Sequence, residues 1–256
     1  MRNALLKLRL LYLDRIRGYF NEIHAVKKID GKQIFFDDFH CEVNWETWHP
    51  NEHWGNVKDA DNQYIIWLPK QVQASSNGIK LITDLNNTPG EPAIKSGQIC
   101  LWKTIYRVFG RYRAMIKVPP RGVQYWFAMW LIGKECREEI DIFEMMDEDS
   151  KGFTVTLHGW VKGEKKIVFS RHFRFRIDLS EAFHLYEVDW QPDHVAWYFD
   201  GIKLCEYKGK YIPTCPMGLI INNGVVRGFK PDSVTKEKLA ELFPAYGEVM
   251  EVEIGE

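Results

Sequence analysis

Short runs in which apolar and polar residues alternate make up most of the chain from residue 31 to residue 256. Turn signals such as Asn77-Gly78, Pro119-Pro120 and Asp200-Gly201 separate these runs. A short helix is expected at Ser233–Leu242, where Ser233 can cap it. Because short strands follow one another with almost no helix between them, the sequence predicts an all-β sandwich or jelly roll and argues against a parallel α/β sheet. The runs that we interpret as strands are Ile34–Phe36, Ile65–Leu68, Ile79–Leu85, Ile99–Trp102, Arg111–Val118, Tyr125–Ile132, Glu139–Phe143, Phe153–Leu157, Ile167–Ile177, His184–Trp190, His194–Phe199, Met217–Val226 and Glu248–Ile254.

The N-terminal segment does not follow this pattern. Over Met1–Phe20, leucines fall near one face of a helix and arginines fall elsewhere, as in a basic amphipathic helix. Lys7 and Arg9 interrupt the apolar run that a signal peptide needs. We therefore expect residues 1–30 to be a basic, amphipathic, helical extension, either packed on the domain or lying at a membrane surface. Residues 31–256 are expected to form a single domain.

Charge and cysteine content narrow the classes of function. The chain has 34 Lys and Arg against 35 Asp and Glu, so it has no general electrostatic attraction for nucleic acid. No run approaches the roughly 18 apolar residues of a membrane-spanning helix. The five cysteines form no CxxC pair, and their odd number favours a reduced or mildly oxidising setting over a disulfide framework. We expect a monomer with no nucleic acid partner and no membrane-spanning segment.

Acids alternate with apolar residues in the segment Glu139–Glu144, which a solvated charge run does not explain. In a strand, Glu139 and Asp141 point to one face, and strict alternation would turn Glu144 into the core. One β-bulge at Ile142–Phe143 returns Glu144 to the face of the other two acids. The sequence therefore predicts a bulged strand with three carboxyl groups on one face.

Three carboxyl groups this close cannot all ionise at low cost, because neighbouring negative charges raise at least one pKa. Such an arrangement suits glycoside hydrolysis, which needs one ionised and one protonated carboxyl group. A separation of about 5–5.5 Å gives retention through a covalent intermediate. The spacing alone is a moderate signal, since it arises by chance in roughly 5% of chains of this length.

Five segments around the acidic strand supply the context. They are Asp37-Asp38-Phe39, Gly110–Pro119, Trp126–Gly133, Phe183–Trp190 and Trp197–Gly201. With the acidic strand, they resemble in order the D-E-F, G-R-F-E-A-R-I-K-V-P, W-P-A-F-W-L-L-G, F-H-x-Y-x-x-x-W and W-Y-x-D-G segments of glycoside hydrolase family 16, the laminarinase, agarase and carrageenase type. Phe127 and Arg113 depart from this pattern, which has Pro and Glu at these positions.

The resemblance implies a β-jelly-roll of two curved antiparallel sheets with a concave glycan-binding cleft. It also implies a retaining, endo-acting hydrolase that cleaves β-linked polysaccharide by double displacement and requires no cofactor. By position, Glu139 is expected as the nucleophile and Glu144 as the general acid/base. Asp141 is expected to share a proton with Glu139 and to orient it. A β-1,3- or mixed-linkage glucan is the favoured substrate. The alternatives are a β-galactan such as agarose, porphyran or carrageenan, and a non-catalytic glycan-binding jelly roll.

Aromatic and polar residues near the acids are candidates for binding the sugar. Trp126 and Trp130 share a strand face and can stack on sugar rings, although core packing is the alternative interpretation. The set expected to contact substrate is Trp102, Arg111, Trp126, Trp130, His158, Trp160 and Asn222. The resemblance further implies a structural calcium ion, for which Asp38 and Glu253 fall near the matching positions. A polymeric substrate predicts an extracellular location, although no signal peptide is visible.

Overall fold

The computed structural model describes residues 31–40, 43–50, 65–89, 93–120, 125–133, 138–146, 149–225, 231 and 234–256, so the extension predicted over residues 1–30 lies outside it. The described residues form seventeen strands, one α-helix and a short 3-10 helix at Pro69–Gln71. The helix α1 spans Lys236–Leu242. The strands are β1 Gln33–Asp37, β2 Ile65–Trp67, β3 Val72–Ser75, β4 Gly78–Leu85, β5 Ile94–Ser96, β6 Gln98–Cys100, β7 Tyr106–Arg107, β8 Gly110–Lys117, β9 Tyr125–Ile132, β10 Glu139–Met145, β11 Gly152–Val161, β12 Glu164–Arg174, β13 His184–Gln191, β14 His194–Phe199, β15 Ile202–Tyr207, β16 Met217–Val225 and β17 Ala245–Gly255.

These strands form two sheets, which we call the ten-strand sheet and the seven-strand sheet. The ten-strand sheet has the order β15-β14-β13-β8-β17-β4-β5-β2, with β1 beside β17 and β3 beside β4. The seven-strand sheet has the order β12-β11-β10-β9-β16-β6, with β7 beside β16. Among the described strands, β2 and β5 pair in parallel and the other pairs are antiparallel.

The main hydrophobic core draws side chains from both sheets. Phe143 of β10 stacks on Tyr186 of β13 with ring centroids 4.1 Å apart, and on Phe127 of β9 at 5.9 Å. All three rings are buried. Because side chains alternate along a strand, the neighbours of Phe127 on β9 point to the opposite face of the sheet. We call this the site face, defined as the face of the seven-strand sheet that carries Trp126 and Trp130.

The structure confirms the all-β prediction, and each predicted strand is present with its ends shifted by a few residues. The turn at Asp200-Gly201 is confirmed by positive φ values of 48° and 74°. Helix α1 begins at Lys236, with the Thr235 hydroxyl accepting a hydrogen bond from the Lys238 N–H; the expected cap Ser233 lies outside the described residues. The prediction missed β3, β5, β7 and β15, of which the first three span at most four residues and are too short for alternation to show.

The cysteine expectation needs a correction. Cys215 is disulfide-bonded, whereas Cys100 and Cys205 are free. Counting cysteines could not reveal this bond, because pairing depends on which thiols the fold brings together. In the described part of the chain, no helix has the length and apolar character needed to cross a membrane.

Candidate active site

The predicted bulge lies in the middle of β10. Its pairing with β9 shifts register between Asp141 and Phe143, and its pairing with β11 shifts between Asp141 and Glu144. Ile142 and Phe143 both enter the main core as consecutive residues. The extra residue thus leaves Glu139, Asp141 and Glu144 together on the site face, as the sequence predicts.

His158 connects two of these acids. It stands opposite Glu139 on β11, and its Nε2 lies 3.3 Å from Glu139 Oε1 and 3.2 Å from Asp141 Oδ2. Asp141 also forms a hydrogen bond with Glu139, and its backbone oxygen accepts one from the Trp197 indole at 2.9 Å. Trp197 belongs to the ten-strand sheet, so the opposite sheet of the sandwich holds the backbone of the acidic strand in place.

Burial and charge set the protonation of this cluster. Burial, followed by the charges of Glu139 and Glu144, raises the pKa of Asp141 well above its usual range. Burial also lowers the pKa of His158, an effect that the charge of Glu139 opposes. The raised pKa favours the protonated form of Asp141, and the lowered pKa favours the neutral form of His158. A neutral His158 can donate its Nε2 proton to Asp141 while protonated Asp141 donates to Glu139.

Glu144 is held separately, by β9. The Trp126 indole N–H donates to Glu144 Oε1 at 3.3 Å. Burial raises the pKa of Glu144, as does the charge of Glu139, while the Trp126 hydrogen bond and Lys165 act in the opposite direction. A carboxyl group needs a raised pKa to act as a proton donor near neutral pH.

Lys165 is a member of the cluster that the sequence analysis missed. Its Nζ lies 2.7 Å from Glu139 Oε2, so the ammonium group reaches the acid from β12, two strands away. Lys165 pairs directly with Trp160, across a two-residue turn in which Lys162 and Gly163 both have positive φ. A two-residue turn at this point pairs Lys165 with Trp160, so the turn signal in the sequence could have placed Lys165 on the same face as Trp160.

Asn222 and Trp130 form a buried chain of hydrogen bonds beside the acids. The Trp130 indole donates to Asn222 Oδ1 at 3.1 Å, and Asn222 Nδ2 donates to Gln98 Oε1 at 3.2 Å. Gln98 donates in turn to the Pro50 carbonyl at 3.5 Å. Asn222 is fully buried, so the structure makes it a support for Trp130 rather than the expected direct sugar contact.

Two further tryptophans expected to contact substrate, Trp102 and Trp160, lie on opposite sides of the acids. Trp102 is buried in a small cluster on the site face, next to Trp130 and Ile220. Gly218 makes this packing possible, since a Cβ there would lie 2.3 Å from the Trp102 backbone. Trp160 is 45% exposed at the other side, where Ile167 of β12, also missed by the sequence analysis, is 63% exposed.

The structure does not bring Arg111 to this site, which corrects the expectation that it contacts sugar. Arg111 lies on β8 in the ten-strand sheet, where Tyr112 points into the main core and Arg111 points away from it. Its guanidinium donates to Glu187 at 2.5 Å and lies over the Tyr198 ring. The sequence could not show which sheet receives this strand.

The candidates for calcium are Asp38, just after β1, and Glu253, on β17. Glu253 is buried and accepts hydrogen bonds from the Arg113 guanidinium, which already supplies a positive charge. Asp38 accepts from the His40 N–H. Calcium takes about six to eight oxygen ligands. In this structure Glu253 binds the Arg113 guanidinium rather than calcium, and a calcium site stays a prediction.

In the described chain, the His, Asp and Glu side chains close enough to share a metal are Glu139, Asp141 and His158.

Three clustered carboxyl groups, set among tryptophans on the outer face of an antiparallel β-sandwich, define a class of protein, the β-sandwich glycoside hydrolases. The family model described as glycosyl hydrolases family 16 matches residues 59–237, and the chain belongs to that family.

Curated relatives are similar over part of the chain. The chain is 29% identical over 163 residues to a β-glucanase of Acetivibrio thermocellus, covering 61% of this chain and 45% of that protein. It is 26% identical over 167 residues to the glucan endo-1,3-β-glucosidase A1 of Niallia circulans, covering 58% of this chain and 23% of that protein. The chain therefore spans less than half the length of these relatives.

Solved structures share the fold over most of both chains. The κ-carrageenase of Zobellia galactanivorans superposes with a TM-score of 0.73 at 20% identity, over 89% of this chain and 96% of that one. The laminarinase catalytic domain of Thermotoga maritima gives 0.72 at 18% identity, over 88% and 98%. At these identities the likeness establishes the jelly-roll fold.

Proposed function

We propose that this protein is a retaining, endo-acting hydrolase that cleaves internal β-linkages of a polysaccharide by double displacement. The observation that carries the proposal is that the two glutamates of the acidic cluster have different surroundings. Glu139 is paired with a cation, while Glu144 lies where burial favours its proton. Double displacement needs a nucleophile that attacks the anomeric carbon and a protonated acid that protonates the leaving oxygen on the opposite side of that carbon.

In the first step, Glu139 attacks the anomeric carbon while Glu144 protonates the departing glycosidic oxygen. Asp141 donates a hydrogen bond to Glu139 and fixes its orientation. Formation of the ester removes the negative charge of Glu139, which is one of the causes that raise the pKa of Glu144. Glu144 is then a carboxylate beside a neutral ester.

In the second step, Glu144 takes a proton from water, and the water oxygen attacks the anomeric carbon. The bond to Glu139 breaks and its electron pair returns to the carboxylate. Two inversions at the same carbon give net retention. Attack by a sugar hydroxyl in place of water would give transglycosylation by the same chemistry.

The favoured substrate is a β-1,3- or mixed-linkage glucan, because the curated relatives carry the names β-glucanase and glucan endo-1,3-β-glucosidase. A sulfated β-galactan is the second candidate. Lys165 brings its ammonium group to the acids from the β11–β12 hairpin, and the fold matches a κ-carrageenase. Ammonium groups at the edge of a cleft attract sulfate esters.

The proposal is tested by incubating the purified protein with laminarin, barley β-glucan, lichenan, agarose, porphyran and κ-carrageenan. The measurement is reducing-end release, with proton NMR of the first-formed anomer. We expect a ladder of oligosaccharides from a glucan, with the β-anomer appearing first. Initial release of the α-anomer would rule out retention. A folded protein that is silent on every polymer but binds one of them would indicate a glycan-binding module.

A further inference from the structure

In the scheme above, Lys165 pairs with Glu139 but takes no part in either chemical step. The geometry of this pair is specific: the ammonium group lies 2.7 Å from Oε2, while His158 lies near Oε1. The Glu139 side chain is 14% exposed and that of Lys165 is 34% exposed. Because this ion pair is partly shielded from water, its charges interact more strongly than an exposed pair does.

A cation at this position affects the two chemical steps in opposite ways. In the first step Glu139 changes from carboxylate to neutral ester, so a neighbouring ammonium group stabilises the starting state. In the second step Glu139 is the leaving group, and it regains its negative charge as the bond to the anomeric carbon breaks. The ammonium group therefore stabilises the transition state of the second step, where charge develops on Oε2 or its partner oxygen.

We propose that Lys165 is a positioning residue that holds Glu139 in place and assists its departure as a carboxylate, and so sets the lifetime of the glycosyl-enzyme. This inference rests on the proposed double displacement. The step balances: a water oxygen bonds to the anomeric carbon, the water proton passes to Glu144, and the electron pair of the broken bond stays on Glu139. Lys165 keeps its proton throughout.

The other charged groups that face Glu139 cannot supply this cation. Asp141 and Glu144 on the same strand are acids, and burial lowers the pKa of His158 on β11. On β9 the residue opposite Glu139 is Ile132, which carries no charge. In the described cluster the positive charge comes from β12 through Lys165.

Lys165→Met tests the inference, with Lys166→Met as a matched control. Lys166 is the next residue on β12, and it pairs with Glu164 at 2.9 Å on the side of the hairpin away from the site face. Each change removes one ammonium group from the same strand. Lys165→Arg keeps the charge and serves as the rescue variant.

We expect Lys165→Met to lower kcat by about tenfold and KM by a similar factor, leaving kcat/KM within about threefold of the wild type. This split follows because kcat/KM reports the first step, whereas kcat comes to report the slowed second step. Rapid quenching with laminarin, or with whichever polymer of the panel the wild type cleaves, followed by intact-mass measurement should show an accumulated glycosyl-enzyme. Lys166→Met should match the wild type, and Lys165→Arg should restore most of kcat.

Two results would overturn the inference. One is a fall in kcat/KM equal to the fall in kcat, without a covalent adduct, in a Lys165→Met protein whose melting temperature is unchanged. The other is an equal effect of Lys166→Met. Either result from an active wild type leaves the proposed function standing. A wild type that cleaves no polymer and forms no adduct overturns the proposed function and the Lys165 step with it.

Discussion

Burial and neighbouring charge act differently on the three carboxyl groups of β10. Asp141 is 2% exposed and has acids on both sides, and both burial and these charges raise its pKa. Glu144 is less enclosed and has the Trp126 indole as a donor, which moderates the rise in its pKa. Glu139 has an ammonium group and an imidazole instead. Identical chemical groups thus acquire separate roles from their surroundings.

The nucleophile assignment predicts the behaviour of Glu139→Gln. An amide cannot attack the anomeric carbon, so we expect kcat to fall at least about a thousandfold, while the melting temperature and glycan affinity stay near those of the wild type. Reducing-end assays and affinity electrophoresis provide the measurements. Glu164→Gln on the exposed hairpin is the control and should remain active. An active Glu139→Gln protein would exclude Glu139 as the nucleophile.

Asp141→Asn should separate stability from activity. A carboxyl group whose pKa is raised on folding stabilises the native state below its unfolded value of 3.8, and this stabilisation is lost as pH rises through the folded pKa. Because an amide does not ionise, the Asn variant does not lose this stability, and its side-chain N–H can still donate a hydrogen bond to Glu139. At pH 7 we expect the variant to be about 1–3 kcal/mol more stable than the wild type but nearly inactive, because an amide cannot share a proton with Glu139.

Urea denaturation at pH 4 and pH 7 is the measurement for Asp141→Asn. The difference between the two proteins should shrink toward pH 4. A variant that is less stable than the wild type at pH 7 would show that Asp141 is not held protonated.

The sequence identified the three acids because regular alternation fails at Ile142–Phe143, and a bulge is the simplest repair. It did not identify Lys165, which lies 26 residues from Glu139 in the chain. Its position depends on the turn at Lys162-Gly163 and on a second bulge at Leu157–His158. Such register shifts arise from pairing between strands, which a single sequence records weakly.

At the scale of strands, β8 and β17 are joined by a buried ion pair as well as by backbone hydrogen bonds. Arg113 is 5% exposed, Glu253 is 2% exposed, and Arg113 Nε lies 2.9 Å from Glu253 Oε2. A buried pair contributes little net stability compared with apolar residues, but losing one partner leaves the other charge uncompensated. The pair also affects Glu251, whose pKa burial raises and Arg113 lowers.

Arg113→Met should therefore lower the free energy of unfolding by about 3–5 kcal/mol, because the Glu253 carboxylate stays buried without its cation. The double variant Arg113→Met, Glu253→Leu should recover most of that loss. Guanidinium denaturation of the three proteins provides the comparison. A double variant no more stable than Arg113→Met would show that packing rather than charge determines the cost.

For the whole molecule, strand content was predictable and sheet membership was not. Alternation shows that Arg111 and Tyr112 point to opposite faces of a strand, but not which sheet that strand joins. The order β13-β8-β17-β4 comes from contacts between segments far apart in the chain. This is why the structure places Arg111 away from the acids, whereas Trp126 and Trp130, next to the acidic strand in sequence as well as in space, share the site face.

We predict a monomer in solution. The large apolar side chains that are exposed in the described chain are dispersed: Phe36 on β1, Trp45 between β1 and β2, Met146 just after β10, Tyr246 on β17, and Trp160 and Ile167 beside the acids. Scattered groups of this kind do not form the apolar interface of a stable dimer. Sedimentation velocity should give one species at the mass of a single chain, unchanged across a hundredfold range of concentration. A concentration-dependent second species would contradict this prediction.

The bulge of β10 has a consequence for changes in chain length. Removing Phe143 would leave Glu-Ile-Asp-Ile-Glu, in which ordinary strand parity still directs all three acids outward. The deletion would instead empty the space where Phe143 stacks on Tyr186 and Phe127, at a cost of about 3–5 kcal/mol. It would also shorten the step from Asp141 to Glu144 by one residue. Phe143 thus determines both the spacing of the acids and the packing of the core, so a change in chain length here alters both.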